Sequence, residues 1–524
     1  MTATTSNLTP GDRLVLYATV FITGASVMML ELLGTRFIGP FYGVSLFVWS
    51  ALISVALIAL SGGYYLGGVI ADRYPGFRLG HIIALAAVSS SVIPLISGPV
   101  LVGTNPLGLR AGAFFSALIL FTVPLTFLGM VSPYVIKLAT RTVEGVGLAS
   151  GSVYAVSTVG SVVGTLLLGF FLLPAIGSRA ILYAVSIALM LLAIAVSLFE
   201  RRRLAGSPST LALMAAVGMG AAALWVEGRG TPVYAYNYNV KFEKESSYGW
   251  VRVVDDHSRY MRLLLSDSST ISALRMDPGH RGETILPYLH TMEWLPHFHP
   301  QGREALLIGL GGGYIVGALQ KKGVVTDAIE LDPLVAEAAL KWFKLEPPGQ
   351  LIVGDARYQI KRLDKQYDFI IHDCFTGGSV PPHLLSIEML RELRALLRPD
   401  GILALNFVGS TDLERDQASA AVSRTLRAVF PHQRVFSLDA GSEFDDFVFF
   451  ASAAPLEVDR QRLPADLAMQ VDLETVLAGE LHFAPERGFI ITDDYNPLES
   501  MQVRKAEAYR GRFVGDMGTG LLRR

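Results

Sequence analysis

Four short stretches in the second half of the chain carry residue types from which a nucleoside-dependent group transfer can be built. Gly309-Leu-Gly311-Gly-Gly313 is a glycine turn that lets backbone approach a ligand. Glu330, 19 residues after Gly311, has the type and spacing that suits a ribose diol. Asp355, in Gly354-Asp355-Ala356, and Asp373, in His372-Asp373, each follow a further apolar run. A glycine turn alone is weak evidence. With three carboxylates directly after apolar runs it points to one crevice for a nucleoside-containing cosubstrate. For any single carboxylate, capping of the next helix is the plain alternative.

The elements that would position these groups alternate. Ala305 to Ile308 is an apolar strand and Tyr314 to Lys321 an opening helix; Thr326 to Leu331, Ile352-Val353, Phe369 to Ile371 and Ile402 to Leu405 continue the strand series. Strands alternating with helices predict a doubly wound parallel sheet, with the ligand outside the carboxyl ends of the strands. Upstream, residues 232 to 272 read as short strands around Val240 and Phe242, then 250 to 254 and 260 to 265, a small β-rich lid or platform.

From about residue 240 to 450 the chain resembles the spermidine synthase family, aminopropyltransferases built on the Rossmann-like S-adenosylmethionine methyltransferase fold. The matching pieces are Glu245-Ser-Ser-Tyr248, Tyr288 before Leu295-Pro296 and His299-Pro300, Leu307 to Gly313, Ile329-Glu-Leu-Asp332, Gly354-Asp-Ala356 and Tyr367 to Asp373. The resemblance implies that Glu330 binds the donor's ribose and Asp355 the adenine amino group. Gly309, Gly311, Gly313, Ala356 and Tyr248 complete the donor site. Asp373 would be the base for the attacking amine, with Tyr288 as a second catalytic residue. It implies decarboxylated S-adenosylmethionine or S-adenosylmethionine as cosubstrate, no metal, an amine or polyamine acceptor, and allows a homodimer. A sulfonium donor already activates the carbon beside sulfur, so the protein has only to align a free amine and take its proton. Several positions depart from the family. Gly312 stands where the family has an Asp for the donor's amino group, Thr376 where an Asp grips the far amine, Gly249 for a Gln, and Leu289 and His290 for a His and a Glu. The adenosine-binding part is kept and the acceptor-reading part altered.

Other chemistry-bearing residues have bland readings. Cys374 beside the base reads as a buried inert thiol. His290, His297 and His299 lack metal-site spacing. His372 orients Asp373 or ends a strand, and Asp493 and Asp494 close over the site or cap a helix.

The first half is of another kind. Of the 524 residues, the first 226 hold 16 charged side chains, about 7%, whereas the other 298 hold 74, about 25%. The first part carries net +6 and the second net −8, an acidic balance that argues against nucleic-acid binding. A lone cysteine excludes an intramolecular disulfide framework. Apolar runs of bilayer length lie at about 14 to 35, 46 to 71, 79 to 102, 111 to 138, 147 to 175, 179 to 199 and 209 to 226. Leu30-Glu-Leu-Leu and Gly62 to Arg73 resemble the transmembrane part of bacterial proteins in which a spermidine synthase domain is fused to a helical bundle, and Thr492 to Leu498 resembles that subgroup's tail. Glu31 within the first run is a functional-site hypothesis or a structural ion pair. Gly63 and Gly67, and Gly160 and Gly164, have helix-contact spacing.

Basic residues flank alternate loops, which places the amino terminus in the cytoplasm. Seven spans would then put the second half outside. If 209 to 226 is re-entrant, six spans keep it inside, where adenosyl donors are made. The expected organisation is a membrane helical domain at 1–228, a β-rich subdomain at 229–300 and a Rossmann-like domain at 301–524. The protein is expected to be multi-pass in the inner (plasma) membrane, with the lipid bilayer as partner and its soluble part cytoplasmic. The expected activity is transfer of an aminopropyl or related alkyl group to an amine. Methyl transfer, or polyamine transport or sensing, are the alternatives.

Overall fold

The computed structural model describes residues 9–43, 45–74, 76–140, 145–203, 218, 237–267, 269–345, 348–375, 380–437, 443–458 and 467–517. The chain divides into two compact units, Met1–Val233 with Met517–Arg524, and Tyr234–Asp516. The seventh apolar run, 209 to 226, apart from Gly218, and Thr376 lie outside the described residues.

The first unit is helical. Its long helices are α1 (Pro10–Tyr42), α2 (Leu46–Arg73), α3 (Leu79–Thr104), α4 (Gly108–Ala139), α5 (Val146–Leu166) and α6 (Ser178–Arg203). A wide turn at Leu167–Leu172 carries α5 on to Ala175. Among the described residues, five helical stretches are long and apolar enough to cross a membrane; one is the 61 residues Leu79–Ala139. At 1.5 Å per residue those 61 residues would run about 90 Å, three times a ~30 Å hydrocarbon core. The turn Asn105–Leu107, followed by Gly108 at φ +78°, breaks the stretch into α3 and α4.

The small-residue pairs do what their spacing predicts. A side chain at Gly63 or Gly67 would run into the backbone of Thr126 and Met130 on α4, and one at Gly160 or Gly164 into that of Phe21 and Ala25 on α1. Lys137 pairs with Asp72 at 2.7 Å, joining the last turns of α2 and α4. Glu200 accepts from Leu79 N and Gly80 N, each at 3.1 Å, joining the end of α6 to the start of α3. Arg73, Arg78, Lys137 and Arg201 therefore gather at one end of the bundle. Glu31 is half-buried and, among the described residues, makes no ion pair.

The second unit holds two sheets. The smaller is an antiparallel meander of β1 (Tyr238–Glu245), β2 (Trp250–Asp256), β3 (Met261–Ser266) and β4 (Ser269–Arg275), one strand more than the sequence pattern suggested. After the short helix α7 (Pro287–Glu293) come β5 (Glu304–Ile308), α8 (Tyr314–Lys321), β6 (Val325–Glu330), α9 (Pro333–Trp342), β7 (Leu351–Val353), α10 (Ala356–Ile360), β8 (Tyr367–His372), α11 (Ile387–Leu396), β9 (Leu397–Ser410) and α12 (Gln417–Arg427). The chain ends with β10 (His432–Phe436), β11 (Phe444–Ser452), α13 (Leu467–Ala478), β12 (Glu480–Leu481) and α14 (Val503–Met517).

The larger sheet has the order β12-β10-β11-β9-β8-β5-β6-β7. β9, β8, β5, β6 and β7 are parallel, and β11, β10 and β12 add an antiparallel edge. The parallel pattern is the Rossmann-like one expected from strand–helix alternation. Central strands are buried on both faces, Ala305 to Ile308 and Tyr367 to His372 throughout, as parallel strands covered by helices must be. Apolar clusters fill both sides, one around Leu306, Ile370, Leu390 and Phe449, the other around Leu307, Ile371, Leu319 and Phe450.

Candidate active site

The order β8-β5-β6-β7 sets four adjacent carboxyl ends side by side, and the sequence-predicted residues lie at them. The turn after β5 uses glycine three times at positive φ: Gly309 +91°, Gly311 +52° and Gly313 +77°. At Gly309 the requirement is double, because a Cβ there would also strike the Asp373 carbonyl after β8. Gly313 opens α8 as its left-handed cap.

Glu330, the last residue of β6, reaches back to this turn. Its Oε2 accepts from Leu310 N at 2.9 Å and its Oε1 from Asp332 N at 2.9 Å. Burial raises its pKa against the pull of those backbone donors. Asp332 takes a hydrogen bond from Ser246 Oγ at 2.5 Å and caps α9 through Leu334 N. Ser246 also accepts from Tyr248 N at 3.0 Å, so the β1–β2 turn that carries Tyr248 is tied beside Glu330; the Tyr248 ring itself is exposed.

Asp355 caps α10, with Oδ1 accepting from Tyr358 N at 2.9 Å and Oδ2 lying 3.1 Å from His383 Nε2. Capping was the plain alternative for this residue, and the structure shows it. Leu331, Val353 and Tyr358 are apolar side chains 38%, 46% and 59% exposed, next to Glu330 and Asp355.

Asp373 heads the other side of the crevice. Tyr288 donates to its Oδ2 at 3.0 Å and Asn406 Nδ2 to its Oδ1 at 3.1 Å. Burial pushes the Asp373 carboxyl up to about 6, against both hydrogen bonds, and leaves the Tyr288 phenol protonated. Asp446 on β11 stands beyond Asn406. Burial pushes it up to about 7, the Asn406 amide holds it down, and the Asp373 charge pushes it further up. Asn406 thus lies between two part-buried carboxyls, and its own Oδ1 is buried without a donor among the described residues. Sequence reasoning missed Asn406 and Asp446, because only the antiparallel pairing of β9 with β11 brings them together.

The departures have physical reasons. A Cβ at Gly312 would come within 2.5 Å of Ser272 Oγ on β4 and 2.9 Å of Phe343, so an aspartate there requires those side chains to shift. At Gly249 a Cβ would press on Asp267 and Ser266. Cys374 donates to Ile308 O at 3.1 Å and burial pushes its thiol up, the behaviour of an inert cysteine. His372 is fully buried, bonds Leu384 O at 2.8 Å, and is held neutral by burial; it fastens the segment after β8. Of the other histidines, His290 lies 3.4 Å from Glu293 and His299 3.8 Å from Asp368.

Asp493 caps no helix: it takes both arms of Arg357 at 2.8 and 2.7 Å and Ser386 Oγ at 2.6 Å. Asn496 donates to Pro382 O and Leu385 O at 2.9 and 3.0 Å. The tail therefore straps α10 and the segment after β8 from outside.

The fold and this arrangement of strand ends define a Rossmann-like domain with carboxylates gathered at the carboxyl ends of adjacent strands. Residues 290–440 match the spermine/spermidine synthase domain family. Among curated proteins the chain is 32% identical over 250 residues to an N-terminal histidine N-methyltransferase of Emericella nidulans, covering 43% of this chain and 44% of that protein. It is 38% identical over 140 residues to a polyamine aminopropyltransferase of Vibrio vulnificus, 25% and 45% of the two chains. It is 24% identical over 415 residues to polyamine aminopropyltransferase 1 of Streptomyces coelicolor, 75% of each. The chain spans less than half the length of the first two. Among solved structures, a probable spermidine synthase from Corynebacterium glutamicum aligns with TM-score 0.38 and 16% identity, over 48% of this chain and 88% of that one.

Proposed function

We propose that the protein is a membrane-integrated transferase that moves an aminopropyl or related alkyl group from an adenosyl sulfonium donor to an amine, with Asp373 as the base. The observation that carries this reading is Asp373 itself, a desolvated carboxyl held by Tyr288 and Asn406 one glycine turn away from the Glu330 pocket. Decarboxylated S-adenosylmethionine or S-adenosylmethionine would supply a carbon activated by positive sulfur. The amine lone pair forms the new C–N bond, the C–S bond breaks with its electrons going to sulfur, and the amine's proton passes to Asp373. Glu330 and the glycine turn would hold the ribose, while Leu331, Val353 and Tyr358 enclose the adenine. Asp355 reaches the adenine amino group when His383 turns away. Tyr288 and Asn406 orient the base so that a proton is taken along the line of attack.

Methyl transfer is the second reading, supported by the missing aspartate at Gly312 and by similarity to an N-methyltransferase. Product analysis separates the two. Methylthioadenosine released from the decarboxylated donor marks aminopropyl transfer, and S-adenosylhomocysteine released from the intact donor marks methyl transfer. If the purified protein binds neither donor by calorimetry, both readings fall.

The first unit crosses the bilayer six times through α1 to α6, with the end bearing Arg73, Arg78, Lys137 and Arg201 in the cytoplasm. The soluble unit then also faces the cytoplasm, where the donors are made.

A further inference from the structure

His383 sets an N–H beside the carboxylate at the end of β7. Its Nε2 lies 3.1 Å from Asp355 Oδ2, and since an ionised carboxylate can only accept, the imidazole donates. The two side chains are 50% and 44% exposed, so a ligand can reach both. The main chain beneath the imidazole is pinned. His383 belongs to the single turn Pro382–Leu384, entered through Pro381, and the next two side chains, Leu384 and Leu385, are buried. Arg357 Nη1 donates to His383 O at 3.1 Å, and Asn496 Nδ2 to Pro382 O at 2.9 Å and Leu385 O at 3.0 Å. His372 Nε2 donates to Leu384 O at 2.8 Å. Every carbonyl from Pro382 to Leu385 is therefore held by a side chain from elsewhere in the fold. Lifting this turn as a lid would break all of those bonds at once, whereas the His383 ring can swing by its own torsions.

We propose that His383 is a specificity-determining residue of the donor site: Asp355 accepts from the adenine amino group while His383 donates to the ring nitrogen beside it, N1 or N7. The proposal rests on the adenosyl donor proposed above. The adenine amino group brings N–H donors, and the ring nitrogens on either side of it are acceptors. An acceptor and a donor 3.1 Å apart, carried on fixed backbone, are complementary to that edge of the base. His383 and Asp355 satisfy each other, and an arriving adenine takes over both bonds, so neither group is left unpaired. A 6-oxo purine would instead set an oxygen against the Asp355 carboxylate. A histidine that merely covered Asp355 would be indifferent to the ring nitrogens.

The test uses the full-length protein in detergent and the tighter-bound of methylthioadenosine and S-adenosylhomocysteine, together with its 1-deaza and 7-deaza forms, in which one ring nitrogen is replaced by C–H. Wild type should bind at least one deaza form about tenfold more weakly than the parent by calorimetry, the usual worth of one hydrogen bond. His383→Ala should close that gap, and His383→Gln, whose amide can still donate, should keep part of it. An unchanged melting temperature shows that each variant is folded. If wild type binds neither adenosyl compound, the donor reading fails and takes this proposal with it. If it binds one of them, the proposal alone is overturned by deaza forms that both bind as tightly as the parent, by a gap that His383→Ala leaves unchanged, or by a shift of all three affinities by one common factor.

Discussion

A carboxyl raised to about 6 makes a usable base near neutral pH, and its sign fixes the pH profile. As the proposed base, Asp373 would work only when deprotonated, so kcat/KM should climb as pH rises through about 6 and level off above it. Asp373→Asn should remove that limb and lower kcat/KM by roughly 10²- to 10⁴-fold, the usual worth of a positioned base. Tyr288 holds the carboxylate form through its phenol. Tyr288→Phe should therefore move the limb upward by about one pH unit. A profile that stays in place would mean that the bond at 3.0 Å does not act on the working base.

At the scale of elements, the crevice depends on how closely its loops approach one another. Gly309 lets the β5 turn touch the backbone after β8, and Gly309→Ala should abolish adenosyl donor binding in calorimetry while the chain remains folded. Gly312→Asp, which restores the residue type of the resembling family, should weaken donor binding and lower the melting temperature, because β4 and Phe343 fill the space. Improved binding would show that β4 moves aside. The tail strap is a third element-scale device. Asp493→Ala releases Arg357 and Ser386 and should weaken donor binding roughly tenfold, with little change in the affinity for an amine.

At the scale of the whole molecule, the first unit leaves large apolar side chains uncovered along its helices, among them Leu57, Tyr65, Leu148, Phe170, Phe171 and Leu191. Exposed apolar surface on helices of this length agrees with the proposed bilayer setting. The protein should stay in the membrane pellet after alkaline carbonate and leave it only with detergent. A reporter fused after Arg524 should read as cytoplasmic. An external reading would leave the soluble unit without its donor and overturn the proposed orientation. The division into two units follows the change in charge density, since a 7% charged segment has too few polar side chains to face water and a 25% charged one too many to face lipid.

The sequence by itself determined what local rules govern. Apolar length showed the helices of the first unit, alternation of strands and helices showed the parallel sheet, and the residues at strand ends showed Glu330, Asp355 and Asp373. Each of these signals is carried by neighbours in the chain. The tertiary structure decided what depends on long-range pairing. It placed Asn406 and Asp446 beside Asp373 because β9 pairs parallel with β8 and antiparallel with β11. It turned the tail aspartate Asp493 into a clamp on Arg357 and gave steric reasons for Gly312 and Gly249. A site residue is legible in sequence when its position follows from the strand that carries it, and illegible when its meaning comes from a partner on another strand or helix.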